Sequence, residues 1–161
     1  MDNMATCPNN WTIVKLTDLI GTQGLFCDGD WVESKDQNAE GEIRLIQLAD
    51  VGDGIFKDRS NRHLTLQKAF ELGCTFLNYG DILIARMPEP LGRACIFPLK
   101  WMQKYVTVVD VAILRIDSVI ADNHYVCHMV NSPQSRSAID KLESGTTRKR
   151  ISRKNLETIS F

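Results

Sequence analysis

The chain has no apolar run approaching the roughly 20 residues that cross a bilayer. Its start, with Asp2 and no apolar core, is not built as a secretion signal. Paired cysteines are missing too. Cys7, Cys27, Cys74, Cys95 and Cys127 are odd in number, widely spaced and form no CxxC. That argues against a disulfide framework and against a zinc site, and points to a reducing cytoplasm. There is no glycine-rich phosphate loop, GxSxG elbow or HExxH pair. Nor is there the Asn-Pro-Pro-Tyr or Asp-Pro-Pro-Tyr box that an amino-methyltransferase sets around its target base. A large excess of one charge is also lacking: the net charge is -1 over 161 residues, short of the strongly basic signature of a protein that holds nucleic acid unaided.

The distribution of charge says more than its total. Residues 1–60 carry five Lys/Arg against eleven Asp/Glu, a balance of -6, whereas residues 61–161 carry fourteen against nine, a balance of +5. A polyanion would therefore meet the later part of the chain. Its centre is the stretch GDILIARMPEPLGRACIF, from Gly80 to Phe97. Asp81 to Ala85 reads as a buried strand behind a Gly-Asp turn, and Ala94 to Phe97 resumes strand character. Between them Pro88 and Pro90 fix φ and remove two backbone donors, setting Arg86 and Arg93 on either side of a stiff loop. Two guanidiniums on a pre-ordered loop suit a planar or phosphate-bearing partner. A long hairpin whose arginines keep its rim soluble is the other reading.

The remaining elements follow from periodicity and punctuation. Trp11 to Ile20 predicts a short strand or turn leading into one helical turn at the edge of the core. Gly21 to Gly29 and Ser34 to Gly41 read as loops, Ile43 to Leu48 as a strand, and Asp50 to Gly54 as a tight turn. Lys57 to His63 reads as a polar, basic loop. Thr65 opens a helix with Leu66, Ala69, Phe70 and Leu72 on its inner side and Gly73 as its stop. Tyr105 to Ile116 is the longest strand candidate, paired through a turn at Ala121-Asp122-Asn123 with a strand over Tyr125 to Val130. Ser132-Pro133 starts a helix that runs to about Leu142 and ends at Gly145. In the tail, Arg148, Lys149, Arg150, Arg153 and Lys154 stand among hydroxyls before Leu156, Ile159 and Phe161 return to the core.

Catalytic chemistry finds little support in these residues. His124 and His128 form the one i, i+4 pair, without the carboxylates a metal site needs. Glu33-Ser34-Lys35 is an ExK with Asp28 and Asp30 upstream, but the spacing is too short to place acid and ExK on adjacent strands, as a two-metal nuclease requires. The basic groups fit nucleic acid better. Lys57, Arg59, Arg62 and His63, then Arg86 and Arg93, Lys100 and Lys104, and Arg148 to Arg150 recur at loops and element ends. Such cations clamp phosphates, and a guanidinium bonds guanine O6 and N7 together. Solvated rims of a β-rich domain account for the same pattern without a ligand.

Several stretches together resemble a known family. DGDWVESKD at Asp28 to Asp36, GEIRLIQLADVGDGIF at Gly41 to Phe56, the central Gly80–Phe97 stretch, VTVVDVAILRI and SGTTRKRISRKNL are similar, in order and spacing, to a target recognition domain of the DNA specificity subunit of type I restriction-modification systems. The resemblance covers nearly the whole chain. It implies an α+β single domain over residues 1–161, with a curved, mostly antiparallel β-sheet flanked by short helices, whose loops enter the major groove. It also implies non-catalytic recognition of one half of a bipartite DNA sequence. Catalysis would fall to partners: a methyltransferase that uses S-adenosylmethionine and, in full systems, a nuclease and translocase subunit. On that basis Arg86, Arg93, Arg148, Lys149 and Arg150 are expected DNA contacts, with Gly80-Asp81 and Gly41 to Asp50 as scaffold, and the basic loop adds Lys57, Arg59 and Arg62 to them. No metal or cofactor is expected on the chain itself. Unlike a full specificity subunit, the sequence shows one recognition domain and no heptad-bearing spacer helix, which leaves subunit assembly and self-association open. A protein-interaction or decoy module of a phage-defence system, keeping the fold without DNA binding, is the alternative.

Overall fold

The computed structural model describes residues 10–88 and 90–161; Asp2, Cys7 and the rest of the stretch read as lacking a secretion signal lie outside them. Aliphatic residues of alternating direction organise the centre. β4 (Ile82–Ala85) is buried at all four positions, with Ile82 and Ile84 turned to one core and Leu83 and Ala85 to another. It pairs antiparallel with β5 (Ala94–Ile96) and with β7 (Val111–Arg115), and β7 pairs antiparallel with β1 (Leu25–Asp28), closing a four-stranded sheet. A strand apolar on both sides needs cover on both. One side is covered by α2 (Asn123–Val130) and α3 (Pro133–Lys141), by Leu16 and Leu19, and by Ile151, Leu156 and Ile159 of the tail, which includes α4 (Arg153–Leu156).

The other side is covered by a second sheet, in which β2 (Ile43–Ile46) lies between β3 (Arg62–Leu64) and β6 (Tyr105–Thr107). Ile46, Leu77 and Phe97 fill the interface, with the Phe97 ring edge-on to Phe56 and Tyr105 at 5.6 and 5.1 Å between centroids. α1 (Leu66–Glu71) packs Ala69 against Ile43, Leu45, Leu64 and Val106 on the outer side of this second sheet. The α+β, mostly antiparallel architecture expected from the sequence is found, with the strands divided between two sheets. β2 and β6 form the parallel pair.

Four predicted segments differ. Tyr105 to Ile116 is not one strand: β6 belongs to one sheet, the chain turns at 108–110, and β7 belongs to the other. Because both strands are buried, apolar character runs unbroken through the crossing and hides it. Backbone bonds from Gly29 to Val111 O (2.9 Å) and from Asp30 to Thr107 O (2.8 Å) hold the crossing. Any Cβ at Gly29 would lie 2.2 Å from the Val108 oxygen. Tyr125 to Val130 is helix α2 rather than a strand. The Asp122 carboxylate caps it by accepting from the Tyr125 N–H at 2.9 Å, and Val126, Cys127 and Val130 bury along one stripe. Finally, β1 and β3 arise inside segments read as loops, each on the edge of its sheet where burial is partial and the apolar signal weak.

Other boundaries match. Lys15 bridges Ser160, and a 3-10 turn over Leu16–Leu19 follows. Thr65 and Ser132 cap α1 and α3 as the sequence indicates. Of the four residues assigned to the inner side of α1, however, Phe70 and Leu72 remain exposed, with Phe70 resting on Phe76. Gly145 lies beyond the end of α3, in the hairpin that follows.

Candidate nucleic-acid interface

The proline loop closes as expected but uses its arginines inward. Ala85 N–H donates to Arg93 O and Gly92 N–H to Ala85 O, both at 2.8 Å, so residues 86–88 and 90–92 lie at the tip between β4 and β5. Gly92, at φ +75°, is required there, since a Cβ would lie 2.3 Å from Ile139 Cδ1. Arg93 is 6% exposed. Its Nε donates to Val51 O (2.6 Å), Nη1 to Met87 O (2.9 Å) and Pro90 O (3.2 Å), and Nη2 to Leu48 O (3.0 Å). Burial, with Arg136 nearby, pushes its guanidinium pKa down. Arg86 is nearly as enclosed: Nε donates to Ile151 O (3.0 Å) and Nη1 to Val109 O (3.0 Å) and Asp28 Oδ1 (2.6 Å). The expected picture of two guanidiniums standing on the rim is thus replaced by two struts, because four and two carbonyls respectively compete for them inside the fold.

The tail hairpin docks on the first of these struts. Ser144 and Arg150 exchange backbone hydrogen bonds at 2.8 Å, and Ile151 N–H donates to Arg86 O at 3.1 Å. Arg150 is ion-paired with Asp110 and its side chain is half exposed. Lys149 reaches Glu143 at 2.5 Å. Arg153 lies 3.7 Å from Asp28 and pairs with Glu157 on its own helix. Arg148, at the tip, is exposed and in no ion pair among the described residues.

A third basic segment is tied in through Asp50. This fully buried carboxylate accepts from the N–H groups of Gln47 (2.8 Å), Arg59 (2.6 Å) and Ser60 (2.8 Å) and from the Ser60 hydroxyl, with Arg44 3.6 Å away. Burial alone would raise its pKa, but these hydrogen bonds outweigh burial and hold it below the ordinary value. The turn that Asp50 ends also supplies the carbonyls of Leu48 and Val51 to Arg93, so residues 57–60 are anchored to the proline loop. Lys57, Arg59 and Arg62 project to solvent, Arg62 from edge strand β3 with Nη1 3.5 Å from Gln37 Oε1. Six of the eight expected contact residues thus present exposed cations near one end of the two sheets, around the crossing at 108–110. Lys100 and Lys104 do not join them: Lys100 sits over the Tyr79 ring, 5.0 Å from its centroid, at the start of β4, and Lys104 precedes β6.

A cleft of about 490 Å³ opens between the sheets at the same end, lined by Asp30, Trp31, Gln47, Val108, Asp110 and Arg150 among others. Trp31 at its mouth is 69% exposed. Burial pushes the Asp30 carboxyl up to about 6, although the Thr75 N–H (3.0 Å) and Cys74 donate to it. Nothing local in the sequence marked Trp31, Asp110 or Arg153 as neighbours, since 40 or more residues separate Asp110 from Arg150 and Asp28 from Arg86. The ExK carboxylates do not gather: Glu33 pairs with Lys35 at 2.5 Å, Asp28 with Arg86, and Asp30 with the Thr75 backbone. Among the described residues no three His, Cys, Asp or Glu side chains could hold a metal ion together, and His124 and His128 stand one turn apart on α2.

No protein-family model matches the chain, and no curated protein matches it in sequence. Solved structures do match it. A chain from a type I restriction-modification system, solved to explain complex assembly and conformational transition, superposes at a TM-score of 0.69 with 18% identity, over 100% of this chain and 36% of that one. The HsdS subunit from Thermoanaerobacter tengcongensis superposes at 0.61 with 18% identity, over 98% and 34%. The type I S subunit from M. genitalium gives 0.58 and 15%, over 96% and 35%. The fold is that of a type I specificity subunit. The chain spans about a third of the length of the chains it matches.

Proposed function

We propose that this chain is a target recognition domain: it binds duplex DNA at one half of a bipartite site, performs no chemistry itself, and directs an adenine methyltransferase to that site. The partner would supply S-adenosylmethionine chemistry and, in a full defence system against phage, a nuclease and translocase subunit would supply cleavage, all in the cytoplasm. The observation that carries this reading is the convergence of three basic segments, 57–62, 86–93 and 144–150, on one end of a specificity-subunit fold. Arg86 and Arg93 act as positioning residues: they hold the loops in register with each other before DNA arrives, which reduces the ordering cost of binding. Arg148, Arg59 and Arg62 are the side chains able to turn toward base edges, and Arg150, Lys149 and Lys57 those suited to phosphates. The non-catalytic assignment is supported by the carboxylates near this end, which are engaged by cations or backbone N–H groups rather than grouped around an open position.

Selection from a random duplex pool, by the chain together with its methyltransferase, tests the proposal. Enrichment of one short sequence, with affinity falling steeply as salt rises, is the expected result. A second reading, a protein-interaction module of a defence system that has lost DNA binding, draws on the pairing of Arg86, Lys149, Arg150 and Arg153 with carboxylates and on the net charge of -1. No enrichment and no duplex binding at low salt would establish it over the first.

A further inference from the structure

Four of the cations at the loop end of the molecule are matched by acids, two of them from distant parts of the chain. Arg86 meets Asp28, Lys149 meets Glu143, Arg150 meets Asp110, and Arg153 meets both Asp28 and Glu157. Two of the matches join segments with no other reason to carry opposite charges. Asp110 sits in the crossing between the sheets, forty residues from Arg150 in sequence, and its own backbone carbonyl already anchors the loop by accepting from the Arg86 N–H at 2.8 Å. Its carboxylate is therefore not needed to hold the crossing. The Arg150 side chain is half exposed, whereas the Asp110 side chain is only 22% exposed, so the acid lies behind the base as seen from solvent.

We propose that Asp110 is a specificity-determining residue that acts as a built-in competitor for the phosphates of duplex DNA, occupying Arg150 until a correctly fitting sequence displaces it. The inference rests on the DNA-recognition reading above and gives it a mechanism for discrimination. An ion pair this exposed contributes little to folding, so exchanging it for a phosphate costs the fold little. It nevertheless removes a cation from the sequence-independent attraction that dominates non-specific binding. A cognate duplex, which adds base contacts by Arg148 and Arg59, outcompetes the Asp110 carboxylate; a random duplex, offering phosphates alone, does so poorly. Discrimination thereby rises without any added base contact, by weakening the wrong complexes more than the right one.

The test compares Asp110→Asn with Asp117→Asn, which makes the same change in net charge beyond the opposite end of β7. Each full chain is titrated, with its methyltransferase, against the selected duplex and a scrambled duplex at several salt concentrations, after thermal unfolding has shown each variant to be folded. The expected result is that Asp110→Asn raises affinity for the scrambled duplex roughly three- to tenfold and steepens its salt dependence by about one counterion, for the freed Arg150. The selected duplex should gain less, and Asp117→Asn should change neither. Equal effects from Asp110→Asn and Asp117→Asn, or no rise for the scrambled duplex, would overturn the competitor role while leaving DNA recognition intact. Absence of duplex binding by the wild type and every variant at low salt would overturn the DNA-recognition reading itself, and this inference with it.

Discussion

The proline loop at 86–93 and the hairpin at 144–150 meet at the same end of the fold, yet their arginines are used in opposite ways. Arg93 is buried and its donors end on four carbonyls from two loops; Arg150, half exposed, has one carboxylate partner and solvent. A carbonyl oxygen offered from a rigid turn satisfies a guanidinium donor without a second charge to desolvate, so an arginine among carbonyls becomes a fixed joint. An arginine held by a single carboxylate near water keeps a partner that phosphate can replace. The difference teaches that position on the interface loop does not make a cation a DNA contact; the partners it already has decide that.

The sharpest way to break the comparison is to remove the joint. Arg93→Ala leaves the carbonyls of Val51, Met87, Pro90 and Leu48 without their donor and separates the two loops. A loss of about 3–5 kcal/mol in unfolding free energy is expected, measured by urea denaturation. Arg93→Lys keeps the charge but not the fork and should recover less than half of that loss. A stable Arg93→Ala variant defective only in DNA binding would instead return Arg93 to the interface. Arg86→Ala should cost less, about 2–3 kcal/mol, because Asp28 keeps Arg153 within 3.7 Å and is itself partly exposed. The hairpin should loosen with it, seen as faster amide exchange at Ile151, whose N–H bonds Arg86 O.

The exposed cations should behave in the reverse manner. Arg148→Ala and Arg59→Ala are expected to leave unfolding free energy within about 0.5 kcal/mol of wild type. Their effect should appear in binding: a loss of about 1–3 kcal/mol for the selected duplex over a scrambled one if the side chain reads a base, or an equal loss on both duplexes if it holds a phosphate. Fluorescence anisotropy with both duplexes separates the two outcomes.

Much of this contrast was out of reach of the sequence for a definite reason. Strand β4, the caps at Thr65 and Ser132, and the stiff turn carrying Pro88 and Pro90 were legible, because each is written in neighbouring residues. So was the grouping of basic segments at element ends. What a guanidinium bonds is not local: the Arg93 partners lie 42 and 45 residues back as well as in its own loop, and Ile151 lies 65 residues beyond Arg86. The split of Tyr105 to Ile116 between two sheets was equally hidden, since burial on both sides of the crossing erased the alternation that marks a strand's end. Helix α2 was misread because Val and Tyr favour strands while the Asp122 cap, a single side chain, decided the outcome.

The smallest expected effect compares two carboxylates of one segment. Asp28 faces Arg86 and Arg153, whereas Asp30, two residues on, has no cation partner among the described residues and accepts from Thr75 N–H and Cys74. Burial therefore raises the Asp30 pKa from 3.8 to about 6 in the folded protein. For a carboxyl whose folded pKa lies above its unfolded value, folding is undisturbed at pH below the unfolded value, where both states are protonated. The penalty grows as pH rises through the window from about 4 to about 6, where the unfolded chain has released its proton and the folded one has not. Above that window the penalty is complete and constant. Asp30→Asn keeps an acceptor for Thr75 and has no proton to lose, so its stability relative to wild type should climb between pH 4 and pH 6 and stay level from pH 7 to pH 8. Paired urea denaturations across that range check it. A difference independent of pH would mean that solvent reaches the Asp30 carboxylate through the Trp31 cleft, and that the two sheets part there more widely than the joints at Arg86 and Arg93 allow.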